Sequence, residues 1–224
     1  VSSFLTIFEA EHRVHRHRFT TNDLVKSSLL FTNPLVHPSI VFRKSFLPAG
    51  ELYDRNFEHA EDYALWIKLI PLVKFHVICE PLLFHREHPG QVSVQHYKQQ
   101  VQSIMNAHKL FLRFLDIAVT DEEQEIQLNL FLEKYDEVAQ HLPKVEAWLL
   151  KLSANNKEKN FLRVDSFNSV IGEWWFRLNH ALSATGKSNY SRYKKSELAK
   201  YYSPSFNSKS KMMVRSIGFG MRTK

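Results

Sequence analysis

The chain has 224 residues, 44% of them hydrophobic, enough for a packed core in one large domain or two small ones. Its single cysteine, Cys79, excludes an internal disulfide and a cysteine-based zinc site. The net charge of +7 is uneven: residues 1–94 set 10 Lys+Arg against 10 Asp+Glu, residues 95–186 set 10 against 12, and residues 187–224 set 10 against 1. The body is therefore near neutral and lacks the basic stripe of a nucleic-acid binder.

No apolar run approaches the ~18 residues of a membrane span. No signal-peptide pattern opens the chain and residue 1 is Val, so a piece of a longer protein is expected. Residues 3–9 (SFLTIFE) read as a strand. His12, His15 and His17 follow, interleaved with Arg13, Arg16 and Arg18. A metal site on those histidines would sit among three cations, so a solvated loop or edge strand is the better reading. Asn22 and Asp23 cap a short helix over residues 24–30. Residues 37–44 read as a strand centred on Ile40, Val41 and Phe42, with a turn at Pro48-Ala49-Gly50.

Residues 63–70 (YALWIKLI) form a helix too apolar all round for the surface. Two strands are expected at residues 74–79 and 82–85, flanking Glu80-Pro81, with Cys79 buried. Beyond Ser93 the period turns helical. Tyr97, Val101, Ile104, His108, Phe111, Leu112 and Leu115 mark one amphipathic helix. Thr120 and Glu123 form a capping box for a second, which stops before Pro143. A third helix spans residues 145–152 and meets a polar linker at residues 155–160. A fourth carries Val164, Phe167, Ile171, Trp174, Trp175, Leu178 and Leu182, closed by Gly186. At that spacing the Trp pair belongs to a core. Residues 190–202 make a fifth.

The apolar helix at 63–70 is preceded by Glu61-Asp62. Most acidic residues at helix starts only cap the helix, and carboxylates there face the positive end of its dipole. The flanking text carries more. Upstream stand Asn33-Pro34, His37-Pro38-Ser39, Arg43, Gly50 and Tyr53-Asp54. Downstream stand Leu65-Trp66, Glu80-Pro81-Leu82, Arg86-x-His88 and Ser93. Over about residues 20–100, this order resembles the C-terminal half of the catalytic domain of family-two glycosyltransferases.

The resemblance implies an α/β fold: a partial GT-A, Rossmann-like sheet over residues 1–94 without its nucleotide-binding part, then an all-α extension over residues 95–224. It implies an inverting enzyme that moves a sugar from a nucleotide-diphosphate sugar to a hydroxyl of a glycan or lipid-linked glycan, as in cell-wall or surface polysaccharide synthesis. Asp62 is the implied catalytic base. Glu61 points elsewhere, because adjacent helical residues do not share a face, and would contact acceptor or backbone. His37 and Ser39 lie on the strand that passes beneath the donor sugar, Gly50 on a loop beside it, and Trp66 and Arg86 among the substrate contacts. His88 is the implied ligand of a divalent metal (Mn or Mg), with His85 a weaker candidate. No D-x-D occurs in the chain. The main metal-binding motif and the nucleotide half are thus expected outside it, leaving this chain inactive alone.

Two other functions stay open. One is a non-catalytic helical interaction module, expected if Asp62 is a buried, paired cap. The other is a metal-dependent hydrolase, expected if His12, His15 and His17 converge with a carboxylate. The basic residues 187–224, with Tyr190, Tyr193, Tyr201, Tyr202, Met212, Met213 and Phe219 interleaved, suggest either a solvated, partly disordered tail or contact with anionic lipid. The second would place a cytoplasmic enzyme on the inner membrane face.

Overall fold

The computed structural model describes residues 1–8, 13–16, 18–47, 50, 52–86 and 95–222. These form a mixed α/β structure that is mostly helical, with one small three-stranded sheet. They divide into two compact units, Val1–Phe114 and Leu115–Lys224.

In the first unit the sheet order is β2-β1-β3. Strand β1 (Ser2–Phe8) pairs antiparallel with the short β2 (Arg13–His15) and parallel with β3 (Val77–Arg86). The two strands expected around Glu80-Pro81 are one continuous strand. Its ladder slips on either side of Phe4, which faces Pro81. Proline has no N–H to donate, and the irregularity absorbs it without ending the strand. Cys79 lies here exposed, not buried as its apolar neighbours suggested.

Helix α1 (Asn22–Ser28) starts two residues before the expected 24–30, so Asn22 and Asp23 lie in its first turn behind Thr21 rather than capping it, and it buries Val25. The strand expected at residues 37–44 does not form. Pro38 sits in the first turn of a 3₁₀ helix, His37–Ser39, and a second covers Lys44–Phe46. Ser39 Oγ is the reason for the bend: it bonds the Ser2 hydroxyl (2.9 Å), accepts from the Ser3 N–H (3.1 Å) and donates to the Val36 carbonyl (2.8 Å). Val41 exchanges backbone hydrogen bonds with Val1, at 2.7 and 2.9 Å.

Helix α2 (Glu61–Leu69) buries Tyr63 to Ile67 without interruption, as its composition requires. Helix α3 (Tyr97–Phe114) packs on it. Two bonds hold the start of α3 to the loop before α2: Gln100 Nε2 donates to the His59 carbonyl (2.9 Å) and Ser103 Oγ to the Glu58 carbonyl (2.7 Å).

In the second unit, α4 (Asp121–Phe131) begins with the expected capping box, both arms of which form. It ends at Phe131, and a 3₁₀ segment, Tyr135–His141, precedes α5 (Leu142–Lys159), which has Pro143 in its first turn. Of the supposed polar linker at residues 155–160, all but Asn160 is helical, and Asn160 caps the helix in a left-handed conformation. Asn156 is fully buried and closes the turn beyond it, donating to the Leu162 carbonyl and accepting the Leu162 N–H. Helix α6 (Val164–Ser183) runs through the core, and both Trp174 and Trp175 are 0% exposed. The expected fifth helix is a short α7 (Tyr190–Lys195) plus a 3₁₀ turn. A further helix, α8 (Phe206–Arg222), follows, so of the two readings of the tail the partly disordered one does not hold for these residues.

Candidate functional site

Ala60 is the N-cap of α2 and contributes no side-chain bond, so neither acidic residue holds the N-cap position. Glu61 and Asp62 occupy the first turn, both half-buried. Burial raises the affinity of the Asp62 carboxylate for its proton. The Tyr63 backbone N–H and the nearby His37 work against this, Glu61 adds to it, and Asn33 opposes it weakly. Asn33 Nδ2 reaches Asp62 Oδ2 at 3.4 Å. The amide is oriented because its oxygen accepts the Leu35 N–H at 3.2 Å. Among the described residues no Lys or Arg pairs with Asp62. This carboxylate is desolvated and close to an imidazole, with no Lys or Arg neutralising it among the described residues.

His37 stands beside this group. Its Nε2 is 2.9 Å from the Tyr53 hydroxyl, and its ring meets Trp66 edge-on at 6.1 Å. Trp66 lies one helical turn after Asp62 and is 2% exposed, which leaves no open face for a sugar to stack on. Its indole N–H is buried without a hydrogen-bond partner. Trp66 instead lines a mostly apolar cavity of about 670 Å³ whose cations are Lys26, Arg43 and Lys74. Neither Asp62 nor His37 lines that cavity.

The remaining expected contacts do not gather here. Ser39 ties β1 to the 37–39 turn, and its hydroxyl is fully engaged in doing so. Gly50 is exposed with φ of 101°, a left-handed conformation that suits glycine. Arg86 ends β3 and is exposed, while His85 before it is half-buried. His88 lies outside the described residues, as do His12 and His17. His15 is exposed on β2. Among the described residues no three His, Cys, Asp or Glu side chains come together to hold a metal ion.

Two contacts of this cluster were not singled out from the sequence, Asn33 on Asp62 and Tyr53 on His37. Both residues stand inside the quoted pattern, so its polar positions were the signal. Next to Tyr53, Asp54 caps a 3₁₀ turn (Arg55–Phe57) and pairs with Lys68 of α2 at 2.8 Å. The Lys68 ammonium holds the Asp54 carboxyl below its usual range.

No family model matches this chain, and no solved structure matches it. Over 121 residues the chain is 26% identical to "Bifunctional glycosyltransferase pgtA" of Dictyostelium discoideum. The match covers 51% of this chain but 16% of that protein. In part of its length, the chain is thus distantly similar to a glycosyltransferase.

Proposed function

We propose that this chain carries the acceptor side and the catalytic base of an inverting, family-two-like glycosyltransferase of GT-A fold, with its nucleotide site in sequence outside these residues. The observation that carries the reading is the Asp62 carboxylate, held at the mouth of buried α2 without a cationic partner among the described residues. A capping carboxylate has no need of desolvation. A general base gains from it, because its affinity for a proton rises toward the operating pH.

The acceptor hydroxyl gives its proton to Asp62 as its oxygen bonds to the anomeric carbon. The bond from that carbon to the donor's phosphate oxygen breaks, and its electron pair leaves with the nucleotide diphosphate. Attack from the opposite side inverts the anomeric centre. Asn33 orients the Asp62 carboxylate, and Glu61, turned about 100° away on the helix, faces acceptor or backbone. The divalent ion implied by the resemblance would offset the charge of the leaving diphosphate. The described residues do not make a site for it.

The test is sugar transfer by the longest polypeptide encoded with this chain, from a panel of labelled nucleotide-diphosphate sugars. Asp62→Asn is expected to lose transfer and keep nucleotide binding. Near-normal turnover in that variant refutes the assignment.

A further inference from the structure

The last helix has two faces with different work. Met212 is 0% exposed and faces the second unit's core. Ser216 lies one turn further along the same side: its hydroxyl accepts the Tyr190 N–H (2.8 Å) and donates to the Met212 carbonyl (2.7 Å). Arg215 reaches the His180 carbonyl at 3.4 Å. These contacts fix the rotation of α8.

With that rotation, Phe206, Met213 and Val214 point outward, 82%, 45% and 68% exposed. At 100° per residue, Phe206 and Met213 lie within about 20° of each other, and Val214 about 80° from Phe206. Lys209 and Lys211 fall on either side of this stripe. No Asp or Glu occurs after Glu197 in the whole chain. The four tyrosines that made the tail look membrane-active are not the residues exposed on this stripe. Tyr193 is buried, and Tyr190, Tyr201 and Tyr202 are half-buried.

We infer that the outer stripe of α8 docks on an anionic lipid surface, with the helix lying in the plane of the interface. An exposed apolar stripe bordered by lysines fits that partner. The apolar side chains enter the acyl boundary, and the cations are attracted to anionic headgroups. No helix of the described residues is long and apolar enough to span a bilayer, so the contact is peripheral. The inference stands independently of the transferase reading.

The test is flotation of the 224-residue chain with vesicles of pure phosphatidylcholine, and of phosphatidylcholine with 30% phosphatidylglycerol. Wild type is expected to float with the anionic vesicles only. Lys209→Glu with Lys211→Glu, and separately Phe206→Ser with Val214→Ser, are each expected to cut that recovery by about ten-fold or more. All four positions lie on the surface or partly exposed, and far-ultraviolet circular dichroism checks that the fold is kept. Equal recovery with both vesicle types, no recovery with either, or unchanged recovery in either double variant overturns the proposal. So does self-association of the free chain that Phe206→Ser with Val214→Ser abolishes, since the stripe would then serve a second copy.

Discussion

The Asp62→Asn variant separates a catalytic base from a carboxylate that only complements the helix dipole, because the two roles predict opposite changes in stability. Burial raises the folded-state pKa of Asp62 above its unfolded value. A raised carboxyl binds its proton more tightly in the folded chain, so its contribution is fully present below the unfolded pKa near 4. It is lost as pH climbs through the folded pKa. At pH 7 the ionised group therefore costs stability. Asn has the same shape and no charge, so the variant should melt at a higher temperature at pH 7, with the gain shrinking to nothing toward pH 3. Turnover moves the other way: removing a general base costs about 10²- to 10⁴-fold, or roughly 2.7–5.4 kcal/mol of transition-state stabilisation. A carboxylate that only complements the helix dipole predicts the reverse, a loss of about 0.3–1 kcal/mol at neutral pH. For a unit of this size that is a drop of a few degrees in Tm. Calorimetry of the 224-residue chain at pH 7 and pH 3 gives the answer without a substrate. A lower Tm for Asp62→Asn at pH 7 would refute the reasoning.

Transfer by the complete enzyme should fall as pH drops through the raised Asp62 pKa, because only the ionised carboxylate accepts a proton; a rate indifferent to acid from pH 7 to pH 4 counts against it. His108, buried on α3, has its pKa lowered to about 3 by desolvation. Its neutral burial stabilises the fold fully above about pH 6.5. That stability is lost toward pH 3 at up to about 1.4 kcal/mol per pH unit, a slope that His108→Leu should flatten in urea melts at stepped pH. In the second unit, a Cβ on Gly172 of α6 would lie 2.8 Å from Tyr201 Cβ and 2.9 Å from the Tyr201 and Tyr202 backbone. Gly172→Ala should destabilise by roughly 1–2 kcal/mol, as overpacking of up to about 3 kcal/mol outweighs the gain of about 1 in helix propensity; a stabilised variant would show that this contact yields.

The sequence by itself determined whatever depends on near neighbours. The run from Tyr63 to Ile70 makes a helix buried all round wherever it is placed, and two acidic residues before it load its first turn. Thr120 and Glu123 are three residues apart, so their capping box closes inside one turn and needs no tertiary support. The core helix with Trp174 and Trp175 is legible for the same reason: its period is local.

Tertiary structure alone decided the rest, where one stretch answers to another far along the chain. Residues 37–44 have strand-forming side chains, yet Ser39 is drawn onto β1 and the chain turns there instead of extending. Residues 155–160 read as a linker until Asn156 is seen bonded to Leu162 in the core. The tail's charge implied solvation, but burial of Met212 orders α8 and sets which side chains face out. The site follows the same rule. Asp62 could be singled out from its own helix. Its desolvation, its contact with Asn33 from 29 residues away and its nearness to His37 come from packing. A carboxylate's proton affinity is set by what surrounds it in space, and sequence distance carries no record of that.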